Sequence, residues 1–263
     1  MTRQQTGINS TLTSSRRCRR TIRAVLLSVF ITSALQPLRG GEVFGQAVPL
    51  VCGMPLAEQL TDGGPDTYLI SALPTEAVLV EAIDTTGSIG LIKLTATPCS
   101  NPGGCSACGG TLLTPGGTLT ITASDCIPPP GSGPYTISLA VVSDGPDNCG
   151  VPLQCESPKT GALTVLGEVD SYTFPGVQGD TVTLTVAPNT FNMRVFDPNG
   201  TPVALPGQGC TGAPVGTTLS LTGTYTVLVS SCTAPPTLGP YTITWTPQTC
   251  PVTPAHGQLA YVA

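Results

Sequence analysis

Histidine is almost missing from this 263-residue chain: there is one, His256, close to the C-terminal end. Charge is scarce too, with Asp, Glu, Lys and Arg together at 10%, and aromatic residues make up only 5%. Each shortage excludes something. A Ser-His-Asp or Cys-His site needs its base held on a scaffold within hydrogen-bond reach of the nucleophile. His256, flanked by Pro254, Ala255 and Gly257, is badly placed for that role. There is no Gly-x-Ser-x-Gly elbow, no His-Glu-x-x-His zinc motif and no phosphate-cradling loop. A carboxylate pair could serve glycoside hydrolysis, but nothing in the sequence singles one out. The chain is not expected to be an enzyme.

Positive charge is the scarcest item beyond the N-terminal segment. After Ala47 only Lys93, Lys159 and Arg194 remain, against fourteen acidic residues, a net of −11. Nucleic-acid affinity depends on Lys and Arg releasing counterions from phosphates, so nucleic acid is excluded as a partner. Long apolar runs are missing as well. The one candidate, residues 24–35, follows the basic cluster Arg16, Arg17, Arg19, Arg20 and Arg23. That order reads as a secretory signal, too short to span a bilayer. Gly45-Gln46-Ala47 puts small residues at the cleavage positions, so residues 1–47 are expected to be removed and the mature chain to carry no membrane span. The destination is the extracellular space or the cell envelope.

What is abundant fits export. Gly (31) and Pro (27) supply many turns, while Thr, Val, Leu and Ser favour short strands. Removing Cys18 with the signal leaves ten of the eleven cysteines, an even number suited to a disulfide framework.

The sequence also repeats itself. Gly133-Pro134-Tyr135-Thr136-Ile137 returns as Gly239-Pro240-Tyr241-Thr242-Ile243, and Asp66-Thr67-Tyr68 as Asp170-Ser171-Tyr172. Cys52-Gly53-Met54-Pro55-Leu56 reads against Cys149-Gly150-Val151-Pro152-Leu153. Two copies of one domain are expected, over 48–148 and 149–250, with 251–263 as a C-terminal extension. Within them apolar and hydroxyl residues alternate, as in Val182, Leu184 and Val186 against Thr181, Thr183 and Thr185. Period two with one wet face is the mark of antiparallel strands. The fold expected is all-β: two tandem antiparallel β-sandwich, jelly-roll-like domains, stabilised by disulfides.

Copy two resembles the bacterial pre-peptidase C-terminal domain. The resemblance runs through Gly167-Glu168-Val169-Asp170-Ser171-Tyr172-Thr173-Phe174, then Gly179-Asp180-Thr181-Val182, then Val195-Phe196-Asp197-Pro198-Asn199-Gly200-Thr201 and Gly239-Pro240-Tyr241. Copy one carries it less fully, with Glu76 in place of Asp180 and no Asp-Pro-Asn-Gly turn. The resemblance implies an accessory β-sandwich of secreted proteases and other exported enzymes. Some members bind collagen, carbohydrate or Ca²⁺.

Binding is therefore the expected role, with an extracellular polysaccharide or protein as partner. The alternative is an accessory portion of a secreted protease whose catalytic domain is not on this chain. No cofactor is required; Ca²⁺ is the ligand that turn carboxylates suit best, and Asp62, Asp66, Asp144 and Asp147 are the candidates, against their plain reading as turn residues. Tyr68, Tyr135, Tyr172, Tyr225, Tyr241 and Trp245 could form a sugar-stacking platform, but their alternation with Thr favours the core. The repeat suggests disulfides Cys210–Cys232 and one of Cys99, Cys105 or Cys108 with Cys126, here taken as Cys105.

Overall fold

The computed structural model describes residues 47–61, 65–98, 106–126, 131–205, 215–231, 237–248 and 250. Alternating apolar and hydroxyl residues produce seventeen strands in this part of the chain. Copy one holds β1 (Val48–Pro49), β2 (Leu56–Leu60), β3 (Asp66–Ser71), β4 (Ala77–Asp84), β5 (Ile92–Thr97), β6 (Ser106–Cys108), β7 (Thr111–Pro115), β8 (Thr118–Asp125) and β9 (Gly133–Val141). Its sheets run β1-β3-β8-β5-β6 and β2-β9-β4-β7. Copy two holds β10 (Val151–Pro152), β11 (Lys159–Leu163), β12 (Asp170–Gly176), β13 (Thr181–Ala187), β14 (Phe191–Phe196), β15 (Val215–Thr218), β16 (Gly223–Ser231) and β17 (Gly239–Pro247). Its sheets run β10-β12-β16-β14 and β11-β17-β13-β15. The chain is all-β, with four sheets forming two sandwiches. Among the described residues no helix is long and apolar enough to cross a membrane.

Each sandwich closes on its own core. In copy one Tyr68, Ile70, Val78, Val80, Leu94, Ile121 and Ile137 are buried together. In copy two Tyr172, Phe174, Val182, Leu184, Val227, Ile243 and Trp245 do the same, with Phe174 stacked between Tyr225 and Trp245 at ring distances of 5.3 Å. The tyrosines and the tryptophan thus belong to the interior, as their alternation implied, and offer no sugar-stacking face.

The register corrects one pairing of the repeat. β1 runs parallel to β3 with Val48 opposite Tyr68, and β10 runs parallel to β12 with Val151 opposite Tyr172. Cys52 bridges Leu139 as Cys155 bridges Trp245. Residues Val48-Pro49-Leu50-Val51-Cys52 are therefore equivalent to Val151-Pro152-Leu153-Gln154-Cys155, and Cys52 matches Cys155 instead of Cys149. The disulfides agree: Cys52–Cys149 and Cys155–Cys250 span 97 and 95 residues, each tying the first strand of a copy to the end of its last. Cys149 closes copy one, and Cys250 closes copy two. The second correction concerns Cys126, whose partner is Cys108 and not Cys105. β6 carries Cys108 to the edge beside β5, in the sheet that also holds β8, whose end leads directly to Cys126. Cys105, Cys210 and Cys232 lie outside the described residues.

A third apolar cluster joins the copies. Leu79, Ala140 and Val142 from the β4/β9 side of copy one meet Val169, Phe196 and Leu228 from the β12/β14/β16 side of copy two. The expectation of one wet face per sheet fails here. Ser171, Thr173, Thr226 and Ser230 point away from the core of copy two, yet they are buried. A sheet covered on both faces reads as a near-continuous apolar run, and Val227-Leu228-Val229 is one.

Candidate functional site

The seam between the sandwiches gathers most of the specific chemistry. Glu81 stands on β4, pairs with Ser138 and Thr111 across the sheet, and points out of the core of copy one. Arg194 stands on β14, opposite Leu228. Its two terminal nitrogens donate to the two Glu81 oxygens at 2.7 and 2.6 Å, and Thr111 Oγ1 donates to Glu81 Oε1 at 3.2 Å. The Glu81 side chain is 11% exposed and that of Arg194 24%. A fork-to-fork pair fixes orientation as well as distance. One of three basic residues beyond Ala47 is therefore spent on holding the copies in register.

Two turns of copy two reach across. In the Asp197-Pro198-Asn199-Gly200 turn, the Asp197 carboxylate accepts from Asn199 N and Thr201 N at 2.8 and 2.9 Å. Pro198 O accepts from Asp144 N at 2.8 Å. Gly200 has φ +77°, and a Cβ there would collide with that of Ala77 in copy one. Only glycine satisfies both the left-handed backbone and the close approach. The second turn presents Gly167 O, which accepts from Ser138 Oγ at 3.0 Å. At the junction itself Asn148 Nδ2 donates to Thr226 Oγ1 at 2.7 Å and to Ser143 O at 2.9 Å.

A groove of about 390 Å³ opens along this seam. Thr75 and Glu76, Leu113 and Thr114, and Asn199 and Thr201 line it from three segments, two in copy one and one in copy two. Glu76 is buried; Leu73 N and Asp147 N donate to its two oxygens at 2.9 and 3.1 Å. The groove mixes apolar walls with hydroxyl and amide groups, and its volume lies in the range of small-ligand sites. Nothing in the sequence pointed to it, because its walls come from three separate segments, one of them on the other copy.

Each copy also carries a buried tyrosine pair tied to an aspartate. In copy one Tyr135 Oη donates to Asp66 Oδ2 at 2.7 Å and is itself hydrogen-bonded to Tyr68 Oη. In copy two Tyr241 Oη donates to Asp170, and the Tyr172 and Tyr241 hydroxyls lie 2.7 Å apart. Burial raises all four phenols above their usual range. It also raises Asp66 and Asp170, although the tyrosine hydrogen bond opposes it. The copies differ at one position. Gly161 leaves room for Tyr241 and Tyr172, and Glu58 takes the same register place opposite Tyr135. Burial, then the charge of Asp66, raises the Glu58 carboxyl. The paired motif is an internal cross-brace between sheets.

Of the four aspartates considered for calcium, the three described ones, Asp66, Asp144 and Asp147, are not brought together in one ligand set. Asp62 lies outside the described residues. Asp66 opens β3, and Asp147 Oδ2 accepts from Leu73 N at 3.2 Å, just beyond that strand's far end. At about 3.3 Å per residue the two are roughly 20 Å apart. Asp144 Oδ2 accepts from Thr224 N at 3.1 Å. Each serves a different backbone or phenol donor. Among the described residues no three His, Cys, Asp or Glu side chains are grouped to hold a metal ion. His256 lies outside the described residues.

No family model matches this chain, and no curated protein does. Distant likenesses to solved structures exist. The periplasmic inhibitor of g-type lysozyme, PliG, from Aeromonas hydrophila is 21% identical, covering 38% of this chain and 96% of its own, with a TM-score of 0.30. The CUB1-EGF-CUB2 region of human MASP-1/3 is 12% identical over 74% of this chain and 99% of its own, with a TM-score of 0.23. The corresponding region of rat MASP-1 gives 11%, 76%, 100% and 0.23. What this chain shares with them is a distant β-sandwich likeness.

Proposed function

We propose that this protein is a non-catalytic binding or structural module of the extracytoplasmic space, in which two sandwiches act together as one body. Three disulfides among the described residues support an oxidising compartment. The resemblance of copy two to pre-peptidase C-terminal domains supports an accessory role of the same kind. The observation that carries the reading is the seam groove, which neither copy could form alone. Sites at domain boundaries are a common place for ligands. The partner class proposed is an extracellular polysaccharide or protein.

The test is capture of the oxidised protein on a glycan panel and on envelope fractions, with Leu113→Arg as the comparison. Leu113 lines the groove from an edge strand and is exposed there, so the change should spare the fold. Binding by the parent chain and its loss in Leu113→Arg is the expected result. Equal binding by both places recognition elsewhere. Turnover of a substrate by the isolated protein would overturn the non-catalytic reading.

A further inference from the structure

The two sandwiches pack front to back. The outward face of β2-β9-β4-β7 in copy one meets the outward face of β10-β12-β16-β14 in copy two. By strand equivalence these are two different faces of the same domain. Such a heterologous contact does not close on itself and can in principle be repeated without limit. One face of each type is left over: β1-β3-β8-β5-β6 in copy one and β11-β17-β13-β15 in copy two.

The leftover faces can be compared with the docked ones position by position through the sheet registers. In the docked face of copy two, Leu228 sits between Ser171 and Arg194. The same row in copy one is Thr122 between Thr67 and Thr95. The next docked row ends in Phe196 and its counterpart ends in Thr97. On the other face type, the docked pair Leu79 and Ala140 corresponds to Thr183 and Thr246. Glu81, which pairs with Ser138, corresponds to Thr185, which pairs with Thr244. Val142 N donates to Ala77 O, as Gln248 N does to Thr181 O, so Val142 corresponds to Gln248. Leu79, Glu81, Ala140, Val142, Arg194, Phe196 and Leu228 are thus all replaced by Thr or Gln on the leftover faces. Thr97, Thr181 and Thr246 are exposed, and Thr95, Thr122, Thr183, Thr185 and Thr244 are half-buried. The Asp-Pro-Asn-Gly sequence of the wedge turn also has no counterpart in the sequence of copy one.

We propose that the threonine faces are stop surfaces. Leu69 stands exposed on one of them, in the place of Thr173, but they keep the β geometry of a docking face without Leu79, Val142, Phe196, Leu228 or the ion pair, and so confine a repeatable contact to the one pair inside this chain. Terminal units of stacked arrays need such a polar outer face. The partner that the contact accepts is a second sandwich of this type presenting the anchors. Plain solubility would also favour threonine on a strand. It would not single out these seven seam residues for exchange; of the remaining cluster, Val169 has Pro65 at its place.

The test writes the stop pattern onto the seam. In the full oxidised chain, Leu228→Thr, Phe196→Thr and Arg194→Thr copy the leftover face onto the docked one. Small-angle scattering and limited proteolysis at the junction, residues 143–148, report whether the copies have parted. The expected result is a larger radius of gyration and cleavage accelerated at least about tenfold, since cleavage follows the open population, with strand content unchanged. An unchanged radius and cleavage rate would overturn the proposal. If the triple variant does not fold, Leu228→Thr alone carries the test through the same two readouts. Sedimentation of the parent protein supplies an independent check: a single-chain mass is expected, and end-to-end assembly at micromolar concentration would contradict stop surfaces.

Discussion

The two outward faces of copy two have nearly the same composition of hydroxyl residues and opposite fates. Thr183, Thr185, Thr244 and Thr246 stand on the open sheet, whereas Ser171, Thr173, Thr226 and Ser230 are buried against copy one. The hydroxyls do not decide which face docks. Leu228 and Phe196, placed among them, do, together with the apolar patch of Leu79, Ala140 and Val142 opposite. A serine or threonine in a strand is neutral toward docking, and a few large apolar residues set into the hydroxyl pattern determine the outcome. Fully burying one such side chain stabilises by about 1.5–3 kcal/mol, enough for three or four of them to hold a seam.

If the copies are otherwise built alike, their closing disulfides contribute equally, and this is the largest expected effect. Removing the closing disulfide of copy one with Cys52→Ser and Cys149→Ser should cost about 4–5 kcal/mol by loop entropy. Cys155→Ser with Cys250→Ser opens a loop of nearly the same size and should cost about the same. Denaturant unfolding under oxidising conditions measures both, and a large inequality would mean that the copies differ in more than their faces.

Next comes the contrast between faces. Phe196→Ala should cost about 3–5 kcal/mol, as large-to-small changes at packed sites do. Thr97→Ala, the same position on the open face, should stay within about 0.5 kcal/mol. Similar values for the two would break the distinction between docked and open faces.

The ion pair should contribute less. Arg194→Met removes charge-assisted bonds from a carboxylate that is mostly but not wholly buried, an expected loss of about 1.5–3 kcal/mol. Double-mutant analysis with Glu81→Gln should return a coupling that weakens in high salt.

The smallest effect is read by pH and contrasts two kinds of carboxylate. Burial alone would raise Asp84, but Thr86, Gly87, Ile89 and Gly90 N–H groups donate to it and together hold its carboxyl below the ordinary value of 3.8. Its stability contribution is therefore present above 3.8 and lost as pH falls through the lowered value. Asp84→Asn should lower the melting temperature at neutral pH and match the parent in strong acid. Asp170 is raised and behaves the opposite way. Its contribution is full below 3.8 and is lost as pH rises through the raised value. The parent should lose ground to Asp170→Asn over that rise.

Much of the architecture was legible because it is local. Alternation of Tyr225, Val227 and Val229 marks a strand, and the return of Gly-Pro-Tyr-Thr-Ile marks a second copy. The seam was less legible, although a signal was present. Val78-Leu79-Val80 and Val227-Leu228-Val229 break the alternation with an apolar residue on the supposedly wet face, which means burial on both sides. The Asp-Pro-Asn-Gly turn was visible as a feature of copy two alone; its cause is that Gly200 meets Ala77 across the seam. The first strand was misaligned because Cys149-Gly150 resembles Cys52-Gly53 in letters, while strand pairing depends on Val-Pro-Leu lying beside β3 and β12. Among the calcium candidates, carboxylates on turns could not reveal that Asp66, Asp144 and Asp147 each bond a different donor.

The central claim is that the seam makes two sandwiches into one cooperative body. Scanning calorimetry of the oxidised protein tests it directly. The account predicts a single transition whose calorimetric and van't Hoff enthalpies agree. Two resolved transitions, each with about half the heat and one of them unmoved by Phe196→Ala, would contradict it.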